Sequence, residues 1–294
     1  MAVRAGELSV REQSVGGPVS DSVHATPEGW IDGTAFRVVL LVHGFNNNLK
    51  EAQDSYGTFT GMLPRLDAKI GWLFWPGDAD FGWFQFADFL SYPTEIPDAR
   101  ESARRLADFL VTTATEHPTL QIILVGHSLG CRLILETLRL FADNPQWNRP
   151  DFPLVMLMAA AVPTDLVEHG KSLDVAGDVA AQRWVFCSTN DLVLHFAFPA
   201  GQTLAATMGY ETAVYLEALG RFGDPRDFGT ATEPLEPNHH GDYWKDDRTA
   251  RRLADFLFAA AARTTPTRTM PIAETPLPQP GAIRTTPLRS PPGS

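Results

Sequence analysis

Residues Gln121–Gly130 read Gln-Ile-Ile-Leu-Val-Gly-His-Ser-Leu-Gly. The four apolar residues Ile122–Val125 have the length and β-branched content of a short buried strand. Gly126-x-Ser128-x-Gly130 follows with no spacer, and Cys131–Phe141 is compatible with a helix. In a strand–turn–helix context a G-x-S-x-G sequence forms a tight elbow that presents the serine hydroxyl above the sheet. Gly126 and Gly130 lack the Cβ atoms that would block the approach of strand and helix. Ser128 is then expected at the N-terminus of the following helix, where backbone N–H groups favour a developing negative charge. The pentapeptide by itself recurs by chance, so the flanks decide the reading. The competing reading is an ordinary Gly-rich turn with a solvated serine.

The same alternation extends in both directions. Phe36–Val42 is dense in apolar and β-branched residues and reads as a central strand, followed by a polar turn over Gly44–Asn48 and a helix over Leu49–Leu66. Ile70–Trp75 is a second strand, stopped by Pro76-Gly77. Pro97 suits the first turn of a helix in which Ala103, Leu106, Ala107, Phe109 and Leu110 keep a 3.6-residue period. Pro153–Ala159 and Arg183–Ser188 read as strands, and Asp246–Ala262 as a last helix with one apolar face. Strands of this length alternating with helices predict an α/β fold, a mostly parallel central sheet with helices on both faces. Residues 1–30 read as an N-terminal lead or edge strand and 31–262 as the domain.

From Arg263 onward, eight of 32 residues are proline, mixed with Thr, Arg and Ser. Such a tail, residues 263–294, cannot bury a core and is expected to be disordered. It is expected either to be merely solvated or to recruit a partner as a polyproline helix. The chain carries a formal charge of −11 over 294 residues. That balance argues against nucleic acid and anionic membrane surfaces as partners. No run approaches the length of a membrane span, and the first residues lack the apolar core of a signal peptide. With only Cys131 and Cys187 there is no disulfide framework, so a reducing cytoplasm is expected. Both cysteines read as core residues.

A serine hydroxyl becomes a nucleophile when a base takes its proton and a carboxylate orients that base. Asp191, in Ser188-Thr-Asn-Asp191, lies just past the strand ending near Cys187, at the sheet edge where α/β sites gather. His240, in Asn238-His-His-Gly-Asp-Tyr-Trp244, lies just before the last helix. Asp165 follows an earlier strand and is a rival acid. Asp242 is another, although it also suits the N-cap of a helix beginning near Tyr243. His239 competes with His240. The cluster His239, His240 and Asp242 matches no known metal-ligand spacing, so no metal is expected.

Taken together these segments resemble an α/β-hydrolase, and more narrowly a group of serine hydrolases of unknown function with His-Gly-Phe/Tyr-Asn after the third strand. The matching residues are Leu41-Val-His43-Gly44-Phe45-Asn46, Phe74-Trp-Pro-Gly77, the Gly126–Gly130 elbow, Asn190-Asp191 and His240-Gly-Asp-Tyr-Trp. The resemblance covers Phe36 to Ala262. It implies Ser128, Asp191 and His240 as a triad, with His240 favoured over His239 by the His-x-Asp-Tyr-Trp alignment. It also implies an oxyanion hole from the N–H groups of Phe45 and Leu129. His43, Gly44 and Asn46 would then sit at the substrate. His43-Gly44 as a plain capped turn is the other reading.

Two aromatic-rich segments, Trp72–Tyr92 and Leu192–Tyr215, either line an apolar pocket, with Trp75, Trp83 and Phe84 at the substrate, or pack as core or subunit interface. Neither is long enough for an inserted cap domain, so an open cleft is expected. The resemblance implies a carboxylesterase-like enzyme cleaving small-molecule esters through an acyl-enzyme, without cofactor. A serine at the elbow argues against dehalogenases and epoxide hydrolases, which use aspartate there. The alternative from another class is a catalytically silent binding or scaffold protein on the same fold.

Overall fold

The computed structural model describes residues 4–13, 17–32, 36–45, 48–77, 88–224 and 228–264. In chain order the elements are β1 (Arg4–Arg11), β2 (Val19–Thr26), β3 (Arg37–Val42), α1 (Leu49–Met62), β4 (Lys69–Phe74), α2 (Asp88–Glu116), β5 (Gln121–His127) and α3 (Leu129–Asp143). They continue with β6 (Val155–Met158), α4 (Thr164–Val167), β7 (Arg183–Cys187), α5 (Phe198–Thr207), α6 (Leu219–Phe222), β8 (Ala231–Pro234) and α7 (Asp247–Thr264). A π-turn over Val193–Ala197 and 3₁₀ turns over Asp174–Asp178 and Tyr243–Lys245 complete them.

The eight strands form one sheet in the order β2-β1-β4-β3-β5-β6-β7-β8. Every neighbouring pair is parallel except β1 with β2, which is antiparallel. All six residues of β3 and the four of β6 are buried, as they must be in strands covered on both faces. Leu40, Leu124, Ile123 and Leu157 contribute to a continuous core. Two groups of helices pack within themselves, α1 with α7, and α2 with α3 and α5. The expected α/β architecture is therefore present.

Several boundaries differ from expectation for physical reasons. Of the two expectations for residues 1–30, the edge strand is the one present: β2 forms the edge of the sheet, and β1, which starts at Arg4, lies inside it between β2 and β4. Pro97 does not open its helix. It lies within α2 with Pro93, and burial of Tyr92, Ile96, Ala99 and Ala103 holds the helix through both prolines. Helix α1 ends at Met62, where Leu63 turns extended ahead of Pro64. Its start is fixed by a capping box, in which Asn48 accepts from the Glu51 N–H and Glu51 accepts from the Asn48 N–H. The greater part of the proline-rich tail, residues 265–294, lies outside the described residues.

At Gly130 in α3, a Cβ would stand 2.2 Å from the His43 carbonyl oxygen and 2.7 Å from that of Val42. The exit of β3 and the first turn of α3 therefore touch through main chain alone. Gly130→Ala is expected to force them apart at a loss of about 1–3 kcal/mol, an overpacking cost. A chemical-denaturation midpoint unchanged from wild type would refute that contact.

Candidate active site

Three parallel strands deliver the residues of the site at their C-terminal ends. Ser128 follows β5 directly and is the N-cap of α3, with φ 53° and ψ −124°. A non-glycine residue at positive φ is strained, and here the main chain is gripped from several sides. The Ser128 N–H donates to the Met158 carbonyl at 2.9 Å, and its own carbonyl accepts from Cys131 and Ala161, each at 3.1 Å. Asp191 follows β7 in a turn closed by its N–H on the Ser188 carbonyl. His240 lies in the loop between β8 and α7.

These side chains meet. His240 Nε2 lies 2.8 Å from Ser128 Oγ, and His240 Nδ1 lies 2.7 Å from Asp191 Oδ2. The other carboxylate oxygen of Asp191 accepts the Leu194 N–H at 2.9 Å. Asp191 is fully buried, whereas the His240 side chain keeps 18% of its surface exposed. A carboxylate fixes the Nδ1 proton, which leaves the Nε2 lone pair facing the serine hydroxyl. His239, by contrast, is exposed, and its N–H donates to Asp242. Asp165 is exposed on α4. Asp242 precedes the 3₁₀ turn Tyr243–Lys245 but does not cap it, because its carboxylate closes the His239 turn instead.

The loop after β3 leans on the elbow. A Cβ on Gly44 would fall 2.7 Å from Ser128 Cβ, so only glycine allows this approach. Phe45 comes next and packs edge-to-face with Tyr92, their ring centroids 6.0 Å apart. Leu129 is the first residue of α3. The expectation that His43 and Trp75 touch substrate needs correction, because both are wholly buried. Their rings stack at 5.6 Å, Trp75 Nε1–H donates to the His43 carbonyl at 2.9 Å, and His43 Nδ1 bonds the Gly44 carbonyl at 2.8 Å. They brace the loop from beneath. Asn46, Trp83 and Phe84 lie outside the described residues. Of the two aromatic segments, Trp72, Phe74, Tyr92, Phe198 and Tyr215 are core, while Leu192 and Phe196 beside Asp191 are 59% and 67% exposed. Cys131 and Cys187 are both buried and unpaired, and burial pushes both thiols up, Cys187 to about 11.

Two neighbours of this arrangement escaped the sequence reading. Glu236, just past β8, accepts from Ser188 Oγ and Thr189 Oγ1, each at 2.8 Å, and from Thr189 N–H and Asn190 Nδ2. Its neighbours strip some water from this exposed carboxylate, which opposes its charge, but those four donors outweigh that and hold the carboxyl down at about 2. This carboxylate ties the turn that carries Asp191 to the loop that carries His240, and no local pattern marks it. The second is His127, whose Nε2 lies 2.6 Å from the His240 main-chain oxygen.

His43 and His127 are held neutral by burial, which pulls each to about 3; for His127 the adjacent His240 lowers it further. In the unfolded chain each takes up a proton near 6.5. Between those values the unfolded state binds more protons, so stability falls as pH drops from 6.5 towards 3. The slope is roughly 1.4 kcal/mol per pH unit for each histidine. Above pH 7 the two contribute no pH dependence. Urea unfolding at pH 7.5, 6 and 5 should show the fall, lessened by the half-buried Asp98 carboxyl, which burial raises to about 6 and which adds stability as pH drops through the same range. A flat profile would mean that one or both rings are charged in the fold.

Residues 31–201 match the family described as alpha/beta hydrolase of unknown function (DUF900). A phospholipase A1 from Vespa velutina is 29% identical over 105 residues, which cover 35% of this chain and 34% of that protein. The match thus spans about a third of the relative's length. Among solved structures, an uncharacterized protein from Bacillus cereus ATCC 10987 is 15% identical, with 76% of this chain and 60% of that one covered at a TM-score of 0.42. TT1662 from Thermus thermophilus is 14% identical, with 86% and 97% covered at 0.42. A lipase-esterase related protein from Clostridium acetobutylicum ATCC 824 is 11% identical, with 77% and 96% covered at 0.41. With a single family spanning more than half its residues, including the elbow and the loop after β3, the chain belongs to the alpha/beta hydrolases of unknown function.

Proposed function

We propose that this chain is a serine hydrolase that cleaves small-molecule esters through an acyl-enzyme. The observation that carries the reading is the unbroken relay from Ser128 Oγ through the His240 ring to buried Asp191, with the serine at positive φ on a helix N-terminus. Ser128 Oγ attacks the ester carbonyl carbon as its proton passes to His240 Nε2. The carbonyl oxygen gains the negative charge, which the N–H groups of Phe45 and Leu129 and the N-terminus of α3 stabilise. Collapse of the tetrahedral intermediate breaks the bond to the alcohol, which leaves with the proton from His240. Water then repeats the sequence on the acyl-enzyme and returns Ser128. Asp191 holds the imidazole in the tautomer this needs. The phospholipase A1 relative, an ester-cleaving enzyme by its name, supports the bond type. Unpaired Cys131 and Cys187 support a reducing, cytoplasmic setting. A silent scaffold would have no use for a complete relay.

Ser128→Ala is expected to abolish p-nitrophenyl ester hydrolysis and fluorophosphonate labelling while leaving the circular dichroism spectrum unchanged. His240→Ala should fall to the same level, His239→Ala should keep most activity, and Asp191→Asn should lose a factor on the order of 10² to 10⁴. Wild-type turnover in folded Ser128→Ala would sink the mechanism, and a silent Asp191→Asn would hand the acid role to another carboxylate.

Exposed Leu192, next after Asp191, and exposed Phe196, in the π-turn that follows, offer apolar surface to an acyl or alcohol chain. Each methylene buried there adds roughly 0.8 kcal/mol. kcat/KM should rise several-fold from acetate to butyrate or hexanoate esters and then level, since longer chains protrude into water. A flat series would remove these residues from the substrate path, and a continued rise on emulsified long-chain esters would make the enzyme a lipase.

A further inference from the structure

His127 fills the variable position between Gly126 and Ser128 and has no part in the proton transfers above. It is the last residue of β5, only 4% exposed, and it faces the loop that carries the base. Its Nε2 lies 2.6 Å from the main-chain oxygen of His240, and the two rings are tilted with centroids 4.9 Å apart. A carbonyl oxygen only accepts, so the proton of this neutral ring sits on Nε2. Its Nδ1 has no hydrogen-bond partner among the described residues.

These contacts close a circuit of atoms. It runs from Ser128 Oγ to His240 Nε2, along that side chain to the His240 carbonyl, across to His127 Nε2, and back through one peptide bond to Ser128. The loop is fastened at its two flanks, by Glu236 on the Ser188–Asn190 turn and by Asn238 on Asp246 and Arg248. Between them His239 is exposed, the Asp242 carboxylate and N–H turn back to His239 while its carbonyl accepts from Lys245, and a Cβ on Gly241 would meet nothing within 4 Å. Asp191 fixes one end of the imidazole, and the His127 bond acts on the main chain at His240 itself, between those flanking anchors.

We propose that His127 is a positioning residue for His240: its Nε2–H pins the His240 carbonyl to the elbow, so that the imidazole keeps one orientation towards Ser128 Oγ. The proposal rests on the serine-hydrolase reading. Loosening of about 1 Å between nucleophile and base costs on the order of 10² in rate, so one such bond has leverage on turnover without touching substrate. Burial serves the same end. A charged ring at this distance would oppose the imidazolium that forms when His240 takes the serine proton.

The test compares side chains that end in different places. His127→Phe keeps the ring and loses the donor. His127→Gln carries its amide to the Nε2 position, and His127→Asn reaches only the Nδ1 position. Phe and Asn are expected to lower kcat for p-nitrophenyl butyrate about 10- to 100-fold, with KM within about twofold, and Gln to recover most of it. Should the Phe variant fail to fold, the Gln and Asn pair decides. Wild-type kcat in His127→Phe, or Gln no better than Asn, overturns the proposal. Independently of activity, Ser128→Ala protein should show the His127 Nε2 proton as a slowly exchanging resonance in proton–nitrogen NMR, and its absence also overturns the proposal. A wild type that takes up no fluorophosphonate overturns the serine-hydrolase reading itself, a failure distinct from an active enzyme indifferent to His127.

Discussion

Ser128 holds a backbone conformation that side-chain-bearing residues avoid, and it does so within a packed edge of the sheet. Strain of this kind costs roughly 1–3 kcal/mol and persists only where the surroundings over-determine it. Here β6 takes the serine N–H, and the first turn of α3 and the chain beyond β6 share its carbonyl. Ala159, one residue past β6, is the other described non-glycine residue at positive φ, at 45°. Two neighbouring strand exits thus bend sharply at one level. The close approaches at Gly44 and Gly130 belong to the same crowding, since a larger residue at either would push the elbow out of shape.

The helix behind the elbow is anchored by charge as well as by apolar packing. Arg132, one turn into α3, is buried against Glu136 at 2.8 Å and Glu211 at 3.2 Å, and Arg100 of α2 reaches Glu211 at 2.9 Å. Burial alone would discharge Arg132 and Glu136. Their mutual attraction outweighs it, leaving Arg132 raised and Glu136 lowered. Such a network adds little net stability over an apolar core, but removal of one partner strands the others. It therefore specifies one rotation of α3 about its axis. Glu211 extends that constraint to the segment after α5, so the region following the Asp191 turn is fastened to the helix that follows Ser128.

Much of this was legible because the deciding signals are local. A buried strand, a glycine-framed serine and an amphipathic helix are contiguous in sequence, and parallel strands advertise themselves as unbroken apolar runs such as Val38–Val42. The order of Ser128, Asp191 and His240, each just past a strand or before a helix, follows from the same punctuation. What escaped was set by partners distant in sequence. β1 alternates weakly and gains its place from β4, and the four-residue β8 is exposed and ends in proline. Glu236 looks like any surface glutamate until the Ser188–Asn190 turn folds over it. Trp75 looked like a pocket wall because its neighbours in sequence are aromatic. Its place beneath His43 depends on how β3 and β4 pair.

The strand order also has a temporal side. The serine, acid and histidine arise from β5, β7 and the stretch after β8, in the order in which the chain is synthesised. A nascent chain folding from its N-terminus can build the elbow and the acid turn while the histidine is still to come. On the reading proposed above, such an intermediate would carry an inactive serine. Activity would switch on only when the last strand adds to the sheet edge and the loop beyond it docks across to β5. A hydrolase arranged in this way is silent on the ribosome, and a chain cut short before residue 240 would lose the histidine together with Trp244 and α7, whose Leu253 and Leu257 belong to the core.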